Sequence, residues 1–294
     1  MQQTVGTRHR DEGVTMAERP LVVPNPNDPR LTRRLKGLDQ DRQPVLSDVV
    51  VERPLTLYLN GQEIVTMMTI GDYPECLAVG YLLNQNMLLA GDRISGIDYD
   101  EEVETVVVRT ERVTNYEQKL SRKVLTSGCA QGTLFGDVLE KFREVKLDRT
   151  AVLHTRWLKT LLREIGTLPS LYLVAGAIHG CALCAGDAVI LYMEDVGRHN
   201  AVDKIAGYMF LNGIAPHDKI FYTTGRLTSE MVIKTVQMQI PILISRSGVT
   251  AWGVELAERA GLTLIGRARG RRFLVLAGAE RVIFDADAGE DAGA

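Results

Sequence analysis

The sequence predicts a mixed α/β protein with a small N-terminal α/β subdomain over residues 47–127 and a larger C-terminal α/β domain over residues 128–284. From residue 170 onward, short apolar runs alternate with helical patterns, which is typical of a sheet covered by helices. Earlier in the chain, Asn60-Gly61 separates two strand-like runs. Because both residues tolerate positive φ, this pair predicts a β-hairpin.

Local signals predict the remaining N-terminal elements. The strands of the hairpin cover Thr56–Leu59 and Ile64–Thr69. Asp72 with Glu75 resembles a capping box and predicts a helix from there to about Leu89. A second strand pair is expected at 94–99 and 104–109, and helices are expected at 133–144 and 155–165.

The C-terminal strands are predicted at 171–175, 187–193, 219–224, 241–245, 262–266 and 272–276. The intervening helices are predicted at 200–211, 228–239 and 250–260, the last ending at Gly261 because glycine readily adopts the left-handed conformation after a helix. Residues 1–46 hold half of the ten prolines and show no apolar periodicity. We expect them, and the small acidic residues 285–294, to be disordered tails.

Composition excludes several classes of protein. The net charge of -3 argues against wholesale binding to nucleic acid. No apolar run approaches the roughly 20 residues that span a bilayer, and Met1–Gly13 lacks the apolar core of a signal peptide. These features predict a cytoplasmic protein without membrane or nucleic-acid partners. Four cysteines in such a chain are expected to be free thiols, metal ligands or redox groups rather than a disulfide framework.

Cys129 lies in a glycine-flanked loop, Ser127–Gly132, that precedes a predicted helix. Unpaired N–H groups at a helix start favour a thiolate, and a thiolate can attack a persulfide. The alternative is a small cysteine buried in a turn. Cys181 and Cys184 form a CxxC that suits a redox pair or half of a zinc site. Its apolar surroundings, and the lack of a second such pair, favour core packing instead.

His179-Gly180-Cys181 departs from the zinc deaminase signature, because Cys181 stands where that signature needs a glutamate. Arginines and hydroxyl residues occur after three predicted strands, at Arg198-His199, Gly225-Arg226 and Ser245–Ser247. Such junctions at helix starts suit a phosphate or pyrophosphate group, although ordinary helix capping uses the same residues. Asn200 is the expected N-cap of its helix.

A basic segment between the last two strands is equally ambiguous. Its residues suit an anionic ligand or a solvated hairpin turn, and they are Arg267, Ala268, Arg269, Gly270, Arg271 and Arg272.

Several motifs in order resemble the FdhD family over residues 50–284. The most distinctive is Glu194–Lys204, with the sequence EDVGRHNAVDK. The others are Leu59-Asn60-Gly61, Gly71-Asp72, Gly80–Leu83, Gly225-Arg226, Glu230–Val232, Pro241–Leu243, Glu255–Ala257 and Gly261–Gly266.

The resemblance implies a homodimeric sulfur carrier. Such a protein accepts persulfide sulfur from a cysteine desulfurase and delivers it to molybdenum bis(guanine dinucleotide), the cofactor of the client formate dehydrogenase. It also implies a cytidine-deaminase-like fold for the C-terminal domain. No permanent cofactor or metal is expected.

The resemblance also implies roles for particular residues. Cys129 corresponds to the persulfide cysteine of the family, and Arg267–Arg272 corresponds to its cofactor-binding segment. We add the junctions at Arg198-His199 and Gly225-Arg226 to the expected cofactor site. Gly132 stands where the family commonly has a second loop cysteine, so we hypothesise that Cys129 suffices alone. One alternative is a chaperone that inserts the cofactor without sulfur transfer. Another is a nucleotide hydrolase or deaminase, which lacks its metal and general base.

Overall fold

Two sheets organise the part of the chain that the computed structural model describes, namely residues 21–112, 123–125, 133–135, 142 and 144–285. The first sheet has four strands and belongs to the N-terminal half. In chain order this half contains strands β1 (Thr32–Leu38), β2 (Pro44–Val50), β3 (Arg53–Leu59) and β4 (Gln62–Thr69), helix α1 (Pro74–Asn84), and strands β5 (Ile94–Asp100) and β6 (Thr105–Thr110). The sheet order is β4-β3-β6-β5, and β1 and β2 form a separate antiparallel hairpin.

The second sheet has six strands and forms the centre of the C-terminal half. The elements are, in chain order, β7 (Lys123–Leu125), β8 (Thr133–Phe135), β9 (Leu153–His154), α2 (Thr155–Thr167), α3 (Leu171–Ala175), β10 (His179–Ala185), β11 (Ala188–Asp195), α4 (Arg198–Leu211), β12 (Lys219–Thr223), α5 (Ser229–Gln237), β13 (Ile242–Ser245), α6 (Ala251–Ala260), β14 (Thr263–Arg269), β15 (Arg272–Ala277) and β16 (Val282–Ile283). The sheet order is β11-β10-β12-β13-β14-β15.

Helices cover both faces of this second sheet. Helices α4, α5 and α6 pack on one face, and α2 packs on the other through Leu158, Leu161 and Ile165. Since every face is covered, the parallel strands β12 and β13 are buried along their whole length, as expected for a sheet between helix layers. No helix among the described residues is long and apolar enough to span a membrane.

The two halves meet where α1 crosses α4. Gly80 and Gly207 lie at the crossing, and a Cβ on Gly80 would lie 1.7 Å from the carbonyl oxygen of Asp203. Only glycine lets two helix backbones approach this closely. The crossing therefore ties the N-terminal sheet to the helix that follows β11.

Strand direction gives the second sheet one functional edge. Strand β10 is antiparallel to both β11 and β12, and β12, β13 and β14 are mutually parallel. Strands β11, β12, β13 and β14 therefore end on the same side of the sheet, which we call the carboxyl edge. Helices α4, α5 and α6 begin there.

The α/β class is confirmed, and so are the elements with strong local signals. These include the β3–β4 and β5–β6 pairs, helix α2, and the helices predicted at 200–211, 228–239 and 250–260. Gly261 has a φ of 68° at the end of α6, as predicted.

Several predictions of local structure were wrong. Residues 171–175 form helix α3 instead of a strand, because the distant Glu194 carboxylate accepts hydrogen bonds from its first two N–H groups, in addition to the cap at Ser170. The predicted helix 133–144 begins with strand β8. Residues 32–46, expected to be disordered, pair with each other and with residues up to Val50 in the β1–β2 hairpin. Helix α1 begins after Tyr73 and ends at Asn84 instead of near Leu89, and the carboxylate of Asp72 pairs with Lys204 instead of capping the helix.

Candidate functional site

The carboxyl edge brings together the segments that the sequence singled out. The backbone N–H of Arg246 donates to Thr223 at 3.4 Å, and that of Arg267 donates to Ser247 at 2.8 Å. A Cβ on Gly225 would lie 2.9 Å from Cδ of Arg198, so this glycine packs directly on the arginine stem. The junctions containing Arg198, Gly225 and Arg267 thus form one continuous surface.

Hydroxyl groups hold the loops of this surface in place. The Thr223 Oγ1 accepts a hydrogen bond from the N–H of Gly225 at 3.1 Å, and the Ser245 hydroxyl donates to the carbonyl of Gly225 at 2.6 Å. Thr250 caps α6 through the N–H of Gly253 at 3.2 Å. The capping interpretation is therefore correct for Thr250. The hydroxyls of Thr223 and Ser245 instead position the loop at Gly225.

Arginines supply the charge of the edge. Arg226, Arg267, Arg269 and Arg272 are exposed, Arg246 is partly buried, and Ala268 is buried beneath them. Gly270, with a φ of 55°, and Arg271 make the β14–β15 turn. Within the described residues, no carboxylate forms an ion pair with Arg226, Arg246, Arg267, Arg269 or Arg272. Guanidinium groups without counter-charges, beside three helix N-termini, favour binding of a polyanion.

Two histidines line the same edge in a neutral state. Burial, followed by the charges of Arg198 and Arg226, lowers the pKa of His179. Burial, followed by the charges of Lys234 and Arg198, lowers the pKa of His199 well below 6.5. The Nε2 of His199 lies 3.3 Å from a Glu230 oxygen, but the two atoms are not aligned for a hydrogen bond. This contact therefore does not stabilise the protonated form of the ring. Both rings can accept a hydrogen bond from a ligand at neutral pH.

A buried ion cluster beneath the edge was missed by sequence reasoning. The Nζ of Lys204 has no exposed surface, lies 2.6 Å from Asp195, and also pairs with Asp72. Thr69 donates to the same Asp195 carboxylate at 2.6 Å. Asn200, predicted as the N-cap of α4, instead donates to Asp195 at 3.0 Å, and Gly197 is the N-cap.

A second buried pair involves Asp203, the residue directly before Lys204 in α4. Lys234 contacts Asp203 at 2.7 Å, and Asn84 donates to the same carboxylate at 2.6 Å. Charged residues at 203 and 204, among the mostly apolar residues 201–211, were the signal available in the sequence. Together the two clusters fix the position of α4, which carries Arg198 and His199 at its start.

The cysteines fall into two groups. Cys129 and Gly132 lie outside the described residues, so the sulfur loop stays a prediction. Cys181 and Cys184 are both in β10, where residues three apart point to opposite faces, and they belong to different core clusters. Neither has exposed surface, and burial raises the pKa of both thiols, that of Cys181 to about 12. Core packing is therefore confirmed for the CxxC.

No group of three or more metal-ligating side chains occurs among the described residues. The fold and the edge thus define an α/β protein with a cationic surface at one edge of its six-stranded sheet and a CxxC buried in its core.

Comparison with known proteins gives the family. The model of the FdhD/NarQ family matches residues 50–283, and the chain belongs to this family. It is 30% identical over 243 residues to the sulfur carrier protein FdhD of Listeria monocytogenes, covering 82% of this chain and 93% of that protein. The same protein of Wolinella succinogenes is 32% identical over 247 residues, covering 80% and 82%.

A solved structure shares the fold. It is a protein of Desulfotalea psychrophila assigned as a formate dehydrogenase accessory protein, with 28% identity and a TM-score of 0.69. The match covers 86% of this chain and 98% of the other. The cytidine-deaminase-like comparison stays a prediction.

Proposed function

We propose that this protein accepts persulfide sulfur from a cysteine desulfurase on Cys129 and delivers it to molybdenum bis(guanine dinucleotide), on behalf of formate dehydrogenase. The cofactor is a substrate here rather than a resident group. One observation supports the proposal above the rest. The chain belongs to a family whose members are named sulfur carrier proteins, and five arginines at one edge of its sheet have no carboxylate partner among the described residues.

Loading of Cys129 is a thiolate exchange. The thiolate attacks the terminal sulfur of the persulfide on the desulfurase, and the sulfur–sulfur bond of that persulfide breaks. The donor leaves as a thiolate, while Cys129 becomes the new persulfide, so no external oxidant or reductant is needed. In delivery, the terminal sulfur passes to a reduced molybdenum centre, which supplies two electrons to make sulfide, and the Cys129 thiolate is restored.

The other cysteines are poor candidates for this chemistry. Attack requires a thiolate in contact with the donor. Cys181 and Cys184 have no exposed surface, and Cys76 is 8% exposed with a pKa that burial raises to about 11. Cys129 is left as the thiol that the proposal uses.

The carboxyl edge suits the other substrate. Two guanine dinucleotides carry two pyrophosphates, and guanidinium groups bind phosphate oxygens in a bidentate manner. Arg226, Arg267, Arg269 and Arg272 are exposed. The neutral rings of His179 and His199 add hydrogen-bonding groups without adding charge.

Mass spectrometry tests the sulfur step. After incubation with a cysteine desulfurase and cysteine, we expect an adduct of about 32 Da on the peptide that contains Cys129. Cys129→Ser should lose the adduct, and Cys184→Ala is the matched control that should keep it. An adduct on Cys181 or Cys184 alone would contradict the assignment.

A second function is favoured by Gly132, because the loop lacks a second cysteine to relay sulfur. In this case the protein is a chaperone that inserts the cofactor without sulfur transfer. A Cys129→Ala variant that still activates formate dehydrogenase would support the chaperone.

The homodimer and the cytoplasmic location implied by the family belong to the same proposal. Light scattering of the full chain tests the dimer, since a monomeric mass at micromolar concentration would contradict it.

A further inference from the structure

A cavity on the side of the molecule opposite the carboxyl edge has no part in the proposed function. It has a volume of about 820 Å³ and lies where helices α1, α4 and α5 end. Since α4 and α5 begin at the carboxyl edge, their ends lie on the other side of the six-stranded sheet. The volume is within the range of cavities that hold small organic ligands.

The walls of this cavity are mostly apolar. Three wall residues, Leu88, Ala206 and Met209, are buried. Half-buried apolar side chains continue the walls, namely Leu83, Phe210 and Met238. Methionine side chains adjust to irregular shapes, and an apolar ligand that leaves water for such walls gains free energy in proportion to its buried area. The walls therefore suit the apolar body of a ligand.

Side-chain charges do not decide what head group such a ligand carries. Among the described residues that line the cavity, those with charged side chains are Glu144 and Lys146, and both are exposed. Their opposite charges cancel in sum. The preference of the cavity for a cation or an anion is therefore set by the backbone.

The backbone makes the mouth of the cavity electronegative, because all three helices end there in the same motif. Asn86, Gly213 and Gln239 follow the ends of α1, α4 and α5, line the cavity and have φ values of 53°, 61° and 58°. In α5, for example, the N–H of Gln239 donates to the carbonyl of Val236 at 2.9 Å, and the N–H of the next residue donates one position further back at 3.2 Å. This Schellman motif leaves the negative end of each helix dipole at the cavity.

We propose that this cavity binds a small amphipathic amine, with its apolar chain between the walls and its ammonium group at the three helix ends. The walls supply affinity, and the helix dipoles supply the preference for a cation. The ammonium group stays at the mouth beside the exposed Glu144 and Gln239, where it keeps much of its hydration, so its desolvation cost is small. The same helix ends repel a carboxylate. Neither Cys129 nor the carboxyl edge takes part, so the inference is independent of the proposed function.

Calorimetry with octylamine, octanol and octanoate tests the site, because the three probes share an alkyl chain and differ in charge. At neutral pH the full chain should bind octylamine about tenfold more tightly than octanol, and octanoate more weakly than octanol. Equal affinities for octylamine and octanol would reduce the cavity to an apolar pocket and overturn the proposal. Failure of octylamine to bind would overturn it as well.

Variants at the mouth and wall show whether the amine lies in this cavity. Gln239→Lys adds a cation beside the helix ends, so it should weaken octylamine about tenfold and leave octanol unchanged. Gln239→Gly is the matched control, because glycine adopts the positive φ without adding charge, and it should bind all three probes as the unaltered chain does. Met238→Trp narrows the cavity and should weaken octylamine and octanol alike. If Gln239→Lys binds octylamine as tightly as Gln239→Gly, the amine lies elsewhere and the proposal is wrong.

Discussion

Replacing Gly80 by alanine tests how much the close crossing of α1 and α4 contributes to stability. The new Cβ would lie 1.7 Å from the carbonyl oxygen of Asp203 and 2.8 Å from the nitrogen of Gly207. Carbon and oxygen approach no closer than about 3.3 Å, so the helices must separate by about 1.5 Å. Overpacking costs ~1–3 kcal/mol when side chains can yield. Because the obstacle is backbone, we expect a loss of at least ~3 kcal/mol, even after the better helix propensity of alanine.

Urea unfolding of the full chain, followed by circular dichroism, measures this loss. Gly166→Ala is the matched control, because Gly166 is an exposed helical glycine in α2 whose Cβ would meet nothing within 4 Å. It should leave stability unchanged or raise it by up to ~1 kcal/mol. If Gly80→Ala unfolds at the same urea concentration as Gly166→Ala, the close crossing and the reasoning based on it are wrong.

Three further predictions concern buried groups. Lys204→Met should lower the free energy of unfolding by ~3–5 kcal/mol in urea at neutral pH, because it leaves the buried Asp195 without a counter-charge; a loss below ~1 kcal/mol would contradict this. The free energy of unfolding of the unaltered chain, minus that of His199→Gln, should be constant above about pH 6.5. Below that pH it should fall by about 1.4 kcal/mol per pH unit, because His199 binds a proton in the unfolded chain while the buried ring stays neutral. A difference that is constant from about pH 5 to 7 would argue against a neutral buried ring. In the native chain, Cys181 and Cys184 should resist maleimide that labels them after unfolding, and peptide mass spectrometry showing rapid native labelling of either would refute their burial.

Elements with a local signal were predictable from the sequence. Asn60 adopts a φ of 54° in the β3–β4 turn, as the Asn-Gly pair predicted, and Gly261 ends α6. These features depend on the φ that a residue tolerates, which is a property of the residue itself. They can therefore be predicted without knowing any contact with a distant part of the chain.

Elements decided by distant partners were not predictable. The β-prone run 171–175 is helical because the Glu194 carboxylate, more than twenty residues away in sequence, binds its first N–H groups. Strand β10 was missed because its glycine and alanines have weak strand propensity. Its pairing with both β11 and β12 overrides that propensity.

The candidate site shows the same division. Parallel strands end on one side of a sheet, so the meeting of Arg198, Gly225 and Arg267 followed from the predicted alternation. The role of Asp72 did not, because capping of α1 was the local expectation, and the actual partner, Lys204, lies in another helix. The CxxC was resolved only by knowing that it lies in a strand, where its two thiols point apart.

Separation of charge explains how the edge keeps its arginines available. Asp195 and Asp203, which lie close to the edge in sequence, are paired with Lys204 and Lys234 inside the protein, and Glu194 is occupied by N–H groups of α3. A carboxylate that is paired with a buried lysine or with backbone N–H groups does not neutralise an arginine at the surface. Removing a buried lysine therefore leaves a negative charge beneath the edge and weakens attraction for an anion, as well as lowering stability. The two clusters of lysine and aspartate thus keep carboxylates away from the arginines of the carboxyl edge and fix the helix that carries Arg198.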